Sequence, residues 1–227
     1  IKPVEEAFEK QKQFVADSSH ELKTPLSIIS ANADVLEMEI GQNEWLTQMK
    51  LQTRRMSGLI HDLLMLAKTE AAGENIVFSE FNLSGAVTHA VLPFEVVAYE
   101  HGRRIECEIE ENISMRGDRQ SINKMMEALL DNAVKYSEKD SAISVRLFAR
   151  GSKRIIEVQN RGCGVSEAQK GKLFDKLYRT DDARARETGG YGIRLSIVKG
   201  IVDMHKGRIE TECREGEFIL FRIILNG

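Results

Sequence analysis

The chain has 227 residues, is 42% hydrophobic and 30% charged, and carries a formal net charge of −3 at pH 7. This length accommodates one large domain or two small ones with a hydrophobic core, and the mixed charge gives no electrostatic case for binding nucleic acid. Cys107, Cys163 and Cys213 lie far apart without a CxxC pair. They indicate a reducing compartment rather than a disulfide framework or a zinc site.

Residues 3–72 have the apolar periodicity of two helices separated by a break, IGQNEW, at 40–45. Apolar residues recur at heptad and half-heptad positions, which is typical of a coiled coil or helix bundle. They are Phe8, Val15, Leu22, Leu26, Ile29, Ala33, Leu36 and Ile40, then Leu46, Met49, Met56, Ile60, Leu63 and Ala67. Because a lone hairpin buries too little surface, we predict that two copies pair into a dimeric four-helix bundle. The alternative is a hairpin packed on the rest of its own chain.

The segment SSHELKTP, residues 18–25, contains a histidine and a proline within one predicted helix. At about 100° per residue, His20 lies about 140° from the apolar stripe, with Thr24 one turn further along the same solvent face. Pro25 removes the helical partner of the Glu21 carbonyl and predicts a bend there. An exposed histidine is largely neutral at pH 7 and can act as a nucleophile, with the adjacent carboxylate as its base. A lone exposed histidine usually has no such role, but this cluster on a dimerising hairpin favours one.

The patterning changes after AAGEN at 71–75, which indicates one domain over residues 1–74 and another over residues 75–227. The pattern then predicts, in chain order, a strand at 75–81, a helix at 82–102, a strand at 104–111, a helix at 118–138 capped by Asp118, neighbouring strands at 141–151 and 154–162, a helix near 191–205, and final segments at 207–215 and 218–226. This order predicts an α/β sandwich with helices on one face of a mostly antiparallel sheet.

Two groups of residues in this second domain suit a ligand. Asn132, Lys135 and Tyr136 share one helix face. An amide oxygen suits Mg²⁺, an ammonium suits phosphate and an aromatic ring stacks on a base, although an ordinary polar helix face has the same pattern. Gly162 and Gly164 allow either a plain tight turn or a close approach of the backbone to a ligand.

The segment FVADSSHELKTPLSIISANADVL, residues 14–36, closely resembles the phosphoacceptor box of sensor histidine kinases of two-component systems, and the resemblance covers nearly the whole chain in the family's order. It implies that His20 accepts the γ-phosphoryl group of ATP, that Glu21 assists as general base, and that Thr24 places water in a reverse phosphatase reaction. It also implies a homodimer through residues 3–72, transfer to an aspartate of a response-regulator receiver domain, and an ATP-binding domain of the histidine kinase, gyrase and chaperone type. Such a portion lies in the cytoplasm, with any membrane attachment upstream of Ile1.

The second domain resembles the family's nucleotide boxes in order. The segment at 127–137 resembles the N-box, which implies that Asn132 binds Mg²⁺ and Lys135 approaches the phosphates. The segment at 158–165, with Gly162 and Gly164, resembles the G1 box, where Asn160 replaces the usual aspartate that binds the adenine amino group.

Three later segments complete this resemblance. The segment at 172–179 resembles the F-box, in which Phe174 serves packing and Arg179 either reaches phosphate or is solvated. The charged stretch at 180–190 is predicted to be a lid over ATP or a plain disordered connection. The segment at 189–199 resembles the G2 box, in which Gly190 and Gly192 bring backbone N–H groups near the phosphates.

Two positions depart from the family's pattern. Ala128 stands where many relatives have a second asparagine, and Arg194 replaces a small residue, so that it either crowds the phosphate site or adds a contact. These departures motivate an alternative, a dimeric docking module with weak kinase activity that mainly dephosphorylates the regulator. A third interpretation, an ATPase clamp of the gyrase or chaperone type, requires a glutamate at position 128. It is disfavoured because Glu127 points away from that face.

Overall fold

The computed structural model describes residues 2–70, 77–162, 164–176, 178 and 192–227, with side chains from residue 21 onwards except at 68–70, 167 and 168. The chain divides into two compact units, Ile1–Ala71 and Ala72–Gly227. The boundary predicted between residues 74 and 75 falls within the stretch 71–76, which lies outside the described residues, and it stays a prediction.

The first unit is a hairpin of two long helices, α1 (Lys2–Ile40) and α2 (Glu44–Glu70). Gly41 ends α1 with a left-handed φ of 78°, and its N–H donates to the carbonyl of Glu37 at 3.0 Å. Asn43 starts α2, because its Oδ1 accepts from the N–H of Trp45 at 2.8 Å. The predicted break at 40–45 is therefore formed by a C-terminal cap that ends α1 and an N-terminal cap that begins α2.

The apolar stripe of the hairpin is only half covered within one chain. Leu26, Ala33 and Leu46 are buried between the helices. The side chains at heptad spacing are 41–50% exposed, and they are Leu22, Ile29 and Leu36 on α1 with Met49, Met56 and Leu63 on α2. The hairpin therefore presents a continuous uncovered apolar face along both of its helices.

One lysine joins the two helices of the hairpin. The Nζ of Lys50 on α2 lies 2.6 Å from Asp34 and 2.7 Å from Glu37 on α1. Hydrogen bonds to Asp34 and Glu37 raise the pKa of Lys50. The pair of contacts therefore fixes the two helices against each other near the loop.

The second unit is a sheet with helices on one face. Its strands are β1 (Ser79–Asn82), β2 (Arg104–Ile109), β3 (Ser114–Gly117), β4 (Ala142–Arg150), β5 (Lys153–Arg161), β6 (Arg208–Arg214) and β7 (Phe218–Asn226). Its helices are α3 (Leu83–Glu100), α4 (Arg119–Tyr136), α5 (Glu167–Lys170) and α6 (Arg194–Met204). Among the described strands, the main sheet has the order β2-β4-β5-β7-β6, in which β2 and β4 are parallel and the other neighbours are antiparallel, and β1 pairs with β3. The predicted sandwich is confirmed, whereas the short β3 and α5 were not predicted.

Alternation along the strands separates a core face from an outer face. On the core face, Val145, Val158 and Phe221 lie directly opposite one another on β4, β5 and β7, and each is buried. Helices α3, α4 and α6 pack on this side of the sheet. Each large side chain buried there contributes about 1.5–3 kcal/mol to folding.

The outer face carries a row of alternating charges that crosses all five strands. Glu108, Arg146, Glu157, Arg222 and Glu210 lie opposite one another in strand order. Successive nitrogen–oxygen distances are 2.9, 3.2, 2.6 and 3.5 Å. Glu157, in the middle, is only 5% exposed, and its two arginine partners compensate the charge that burial would otherwise disfavour. We call these five residues the charge row.

A buried histidine fastens the end of α6 to the start of α4. His205 accepts from the N–H of Asp118 through Nε2 at 3.0 Å, and its Nδ1 donates to the carbonyl of Ile201 at 2.8 Å. The ring stacks on Phe78 with centroids 4.9 Å apart. Burial lowers the pKa of His205. The neutral form is therefore the one that fits this site.

No described helix combines the length and apolarity needed to cross a membrane.

Candidate functional site

Helix α4 positions three of the predicted site residues. Asp118 caps it, accepting from the backbone N–H groups of Gln120 and Ser121. The apolar face of the helix is buried in the core, and Asn132 and Lys135 lie half-buried near its C-terminal end. The Tyr136 side chain is exposed. The helix therefore presents an amide, an ammonium and a phenol ring at one end.

The end of β5 brings a buried amide close to this helix end. Asn160 is 2% exposed and lies on the core face, between Ile143 and Ile219 on the neighbouring strands. Its Nδ2 reaches the carbonyl of Arg161 only at 3.4 Å, which is long for a hydrogen bond. A neutral amide tolerates this burial better than a carboxylate would, and its oxygen can accept from an amino group.

The two glycines after β5 make room for protein backbone. A Cβ at Gly162 would lie 2.2 Å from the carbonyl oxygen of Tyr136. At Gly164, where φ is 59°, it would lie 2.6 Å from the carbonyl oxygen of Arg214. Gly162 thus lets the strand end pass directly against the end of α4. The predicted approach of this loop to a ligand stays a prediction.

The start of α6 approaches the same end of α4, so that α4, β5 and α6 converge there. Gly192 has a left-handed φ of 71°, and Arg194 is the first residue of the helix. The Nη1 of Arg194 contacts the Oδ2 of Asp131 on α4, and the Nζ of Lys135 lies 3.0 Å from the same oxygen. Arg179, Gly190, Cys163 and the lid predicted at 180–190 lie outside the described residues.

On the hairpin, the described side chains agree with a solvent-facing phosphoacceptor segment. His20 lies within α1, and its side chain lies outside the described residues. Glu21 and Thr24 are exposed, and Thr24 borders a shallow depression whose floor includes Ser27 and Ile28. The helical backbone continues through Pro25, and the predicted bend stays a prediction.

The donor set at α4 suits a magnesium–phosphate ligand. Over the described part of the chain, no group of three or more His, Cys, Asp or Glu side chains could hold a metal ion. Mg²⁺ does not require such a group, because it commonly takes one or two protein oxygens and completes its shell with water and phosphate oxygens. The Asn132 amide fits that pattern. Two cations lie close to it, Lys135 about one turn further along α4 and Arg194 at the start of α6, and both contact Asp131.

Ala128 and Glu127 bear on the ATPase-clamp alternative, and Phe174 bears on the packing of the predicted F-box. Ala128 is buried, whereas Glu127 is exposed and its carboxylate lies 3.0 Å from Lys124, so the expected rotation of Glu127 away from that face is observed. Phe174 packs edge-on against Phe221 with centroids 6.2 Å apart, which confirms its packing interpretation.

The contact of Arg194 with Asp131 was not predicted. The spacing of Asp131 and Lys135, four residues apart on one helix, is the only local signal that pointed to this carboxylate.

Comparison with known proteins identifies both halves of the chain. Residues 10–72 match the His Kinase A (phospho-acceptor) domain, and residues 117–226 match the histidine kinase-, DNA gyrase B-, and HSP90-like ATPase. Sensor protein DltS of Streptococcus agalactiae serotype V is 37% identical over 211 residues, covering 93% of this chain and 53% of that protein. Sensor histidine kinase YkoH of Bacillus subtilis is 32% identical over 219 residues, covering 94% of this chain and 47% of that protein. The chain thus spans about half the length of these relatives.

Solved structures share the fold. Full-length ShkA in complex with AMPPNP superposes with a TM-score of 0.79 at 20% identity, covering 94% of this chain and 45% of that one. The catalytic domain of histidine kinase ThkA superposes with a TM-score of 0.59 at 26% identity, covering 66% of this chain and 96% of that one. The order of a helical hairpin followed by an α/β sandwich is therefore an established arrangement.

Proposed function

Because this chain belongs to the sensor histidine kinases, as a phosphoacceptor domain followed by an ATPase domain, we propose that it phosphorylates His20 from ATP and passes the phosphoryl group to an aspartate of a response-regulator receiver domain. The observation that carries this proposal is the HELKTP cluster on α1, with Glu21 and Thr24 exposed beside the phosphoacceptor position and Leu26 buried behind it.

In the first reaction, a neutral ring nitrogen of His20 attacks the γ-phosphorus of ATP. The nitrogen–phosphorus bond forms as the bond from phosphorus to the bridging oxygen breaks, and ADP leaves. Glu21 accepts the proton from the other ring nitrogen, so the ring does not keep the positive charge that it acquires when the nitrogen–phosphorus bond forms. Positioning and neutralisation of charge supply most of the catalysis in such a transfer.

The nucleotide is assigned to the convergence of α4, β5 and α6. Asn132 would hold Mg²⁺, which when bound neutralises charge on the phosphate oxygens. Lys135 approaches the phosphates, Asn160 accepts from the adenine amino group, and Tyr136 offers an exposed ring to the base. Gly162 and Gly164 shape the loop beside the base.

Three further residues are assigned to the phosphates by the resemblance. They are Arg179, Gly190 and Gly192, of which only Gly192 lies within the described residues. Its left-handed φ suits a turn that presents N–H groups at the start of α6.

The hairpin is assigned as a homodimer interface. Leu22, Ile29 and Leu36 on α1 repeat at seven residues and remain uncovered, as do three residues at the same spacing on α2. A second copy that covers them with the same face would form the four-helix bundle and remove this apolar surface from water. The receiver domain is expected to dock on the solvent side of the bundle, near Thr24.

Reverse dephosphorylation of the regulator is a second activity of the same surface, in which Thr24 places the attacking water. The alternative of a phosphatase-dominant docking module with weak kinase activity receives less support. The relatives include proteins named as histidine kinases, and Arg194 has a carboxylate partner rather than crowding the site alone.

Incubation of the chain with γ-labelled ATP and Mg²⁺ tests the assignment. We expect incorporated label that is acid-labile and alkali-stable, as expected of a phosphohistidine. Replacement His20→Gln should abolish the label, whereas His61→Gln, on the other helix of the same hairpin, should retain it. Label that persists in His20→Gln, or none in the wild type at saturating ATP, would sink the proposal.

A further inference from the structure

One carboxylate on α4 holds two cations from different positions in the second unit. Asp131 Oδ2 lies 3.0 Å from Lys135 one turn along the same helix and contacts Arg194 at the start of α6. Asp131 precedes the predicted magnesium ligand Asn132 directly. The cluster of Asp131, Lys135 and Arg194, which we call the α4–α6 cluster, therefore lies within the proposed phosphate region.

The α4–α6 cluster differs from the simple surface pairs of this unit. Pairs such as Lys199 with Asp203 match one cation to one anion on one helix. In the α4–α6 cluster one carboxylate contacts two cations that come from two different helices. Two cations held beside a predicted magnesium ligand suit the phosphate groups of a nucleotide.

The side chain of Arg194 is partly buried and partly exposed to solvent. Its Nη1 is shielded from solvent and contacts Asp131, whereas the side chain as a whole remains 40% exposed. Guanidinium has five N–H donors in a rigid fork, so an arginine whose one edge contacts a carboxylate can present another edge to phosphate oxygens. The contact with Asp131 restricts the rotamers of the arginine before the ligand arrives.

We propose that Arg194 is a phosphate-binding residue of the nucleotide site and that Asp131 is the residue that positions it. This inference rests on the proposed function. It also gives a role to the large side chain at a position where small residues are common in the family. A small residue lets the backbone approach the phosphates, whereas Arg194 would contact them through its charged side chain. Without Arg194, the Asp131 carboxylate would lose one of the two cations that offset its repulsion of the phosphates.

The test is calorimetric titration of nucleotides into the full chain, with Mg²⁺ present, because binding does not depend on turnover. For Arg194→Ala we expect about tenfold weaker binding of ATP, since a charge-assisted bidentate contact is lost. The loss should be smaller for ADP and about absent for adenosine. Arg194→Lys should recover part of the ATP affinity, and Asp131→Asn should weaken ATP binding less than Arg194→Ala does.

Arg104→Ala is the matched control, because Arg104 forms an exposed pair with Glu106 on the edge strand β2. It should leave the affinities for all three nucleotides unchanged. Thermal unfolding without nucleotide reports any structural contribution of the ion pair. A loss of equal size for ATP, ADP and adenosine in Arg194→Ala, accompanied by a lower melting temperature, would overturn phosphate binding in favour of a structural pair.

The outcomes separate this inference from the proposed function. If the wild type binds ATP and Arg194→Ala binds it equally well, the role of Arg194 fails while phosphorylation of His20 is still tested by its own label. If Arg194→Ala shows the expected phosphate-dependent loss but His20 is never labelled, the residue assignment stands and the kinase fails. If the wild type binds none of these nucleotides, both are wrong.

Discussion

The two units of this chain differ in how far they bury their apolar residues. The second unit covers its own core: Phe221, Leu129 and Ile197 come from different elements and are all almost fully buried. The hairpin covers Leu26 and Ala33 but leaves half of its heptad stripe open. The comparison teaches that the second unit buries its apolar core within one chain, whereas the hairpin leaves an apolar face that the proposed second copy would cover.

The largest expected effect concerns the unit with the complete core. Replacement Phe221→Ala removes a ring that lies between Val158 on β5 and Phe174, and should lower the free energy of unfolding of this unit by about 3–5 kcal/mol. Denaturant unfolding followed by circular dichroism measures it. Tyr99→Ala, an exposed position on α3, should change it by less than about 0.5 kcal/mol. If Phe221→Ala also removed the hairpin transition, the two units would not be independent.

The second prediction tests whether the hairpin needs a partner. The paired change Ile29→Glu with Met56→Glu places charge on the uncovered stripe and should weaken dimerisation by about 2 kcal/mol or more, roughly thirtyfold in Kd. Light scattering over a concentration series measures the shift toward monomer. Val35→Glu, equally exposed but on the opposite side of α1 from Leu26, is the control. A wild type that is monomeric at every concentration would contradict the predicted bundle.

The third prediction concerns the charge row. Glu157→Gln removes the central charge and leaves Arg146 and Arg222 facing each other across β5, which should cost about 1–2 kcal/mol of stability. Both arginines retain access to water, so the cost stays below that of a fully buried pair. Glu106→Gln, in an exposed pair on β2, should cost less than about 0.5 kcal/mol. Equal effects of the two changes would mean that the row adds nothing beyond surface pairing.

The smallest effect is a pH dependence confined to the second unit. Burial lowers the pKa of His205 in the folded state, while the unfolded chain titrates near the ordinary value of 6.5. The unfolded state therefore binds more protons as the pH falls. The stability contributed by His205 is complete above about pH 6.5 and is lost as the pH falls through the folded-state pKa.

Denaturant midpoints of the second unit measured between pH 8 and pH 5 check this sign. The wild type should lose stability toward pH 5, and His205→Gln should flatten the curve. His101→Gln, an exposed histidine at the end of α3, should leave the slope of the wild type in place. A wild-type midpoint that rises toward pH 5 would contradict the neutral, buried state of His205.

Much of the fold follows from local patterns in the sequence. The cap at Asp118, the helical periodicity and the strand patterns of β4 and β5 all depend on neighbours within a few residues, so the sequence predicts them. Strand β3 has only four residues and pairs with β1, which lies across α3 and β2 in the chain. Its pairing is non-local and its pattern too short to read.

The candidate site also has a part that local spacing predicts and a part that depends on tertiary packing. Asn132, Lys135 and Tyr136 share one helix face, so spacing alone brings them together. Arg194 meets Asp131 only after α6 packs against α4, and no local spacing encodes that packing. The glycines after β5 were recognised as conformationally special, but the backbone that crowds them is that of Tyr136 and Arg214, which only the assembled unit reveals.

The charge row also favours one alignment of the three central strands of the sheet. A shift of β7 by two residues against β5 would place Arg222 opposite Ile155 or Gln159, neither of which carries a charge. A shift by one residue would turn Arg222 toward the core face. On the three central strands, β4, β5 and β7, a two-residue shift takes Arg146 or Arg222 away from Glu157. The edge strands β2 and β6 each carry a further glutamate two residues from the row, at Glu106 and Glu212, so the row does not fix their alignment. The row therefore disfavours shifted pairings of the three central strands, because such a shift leaves the buried Glu157 carboxylate without one of its arginine partners.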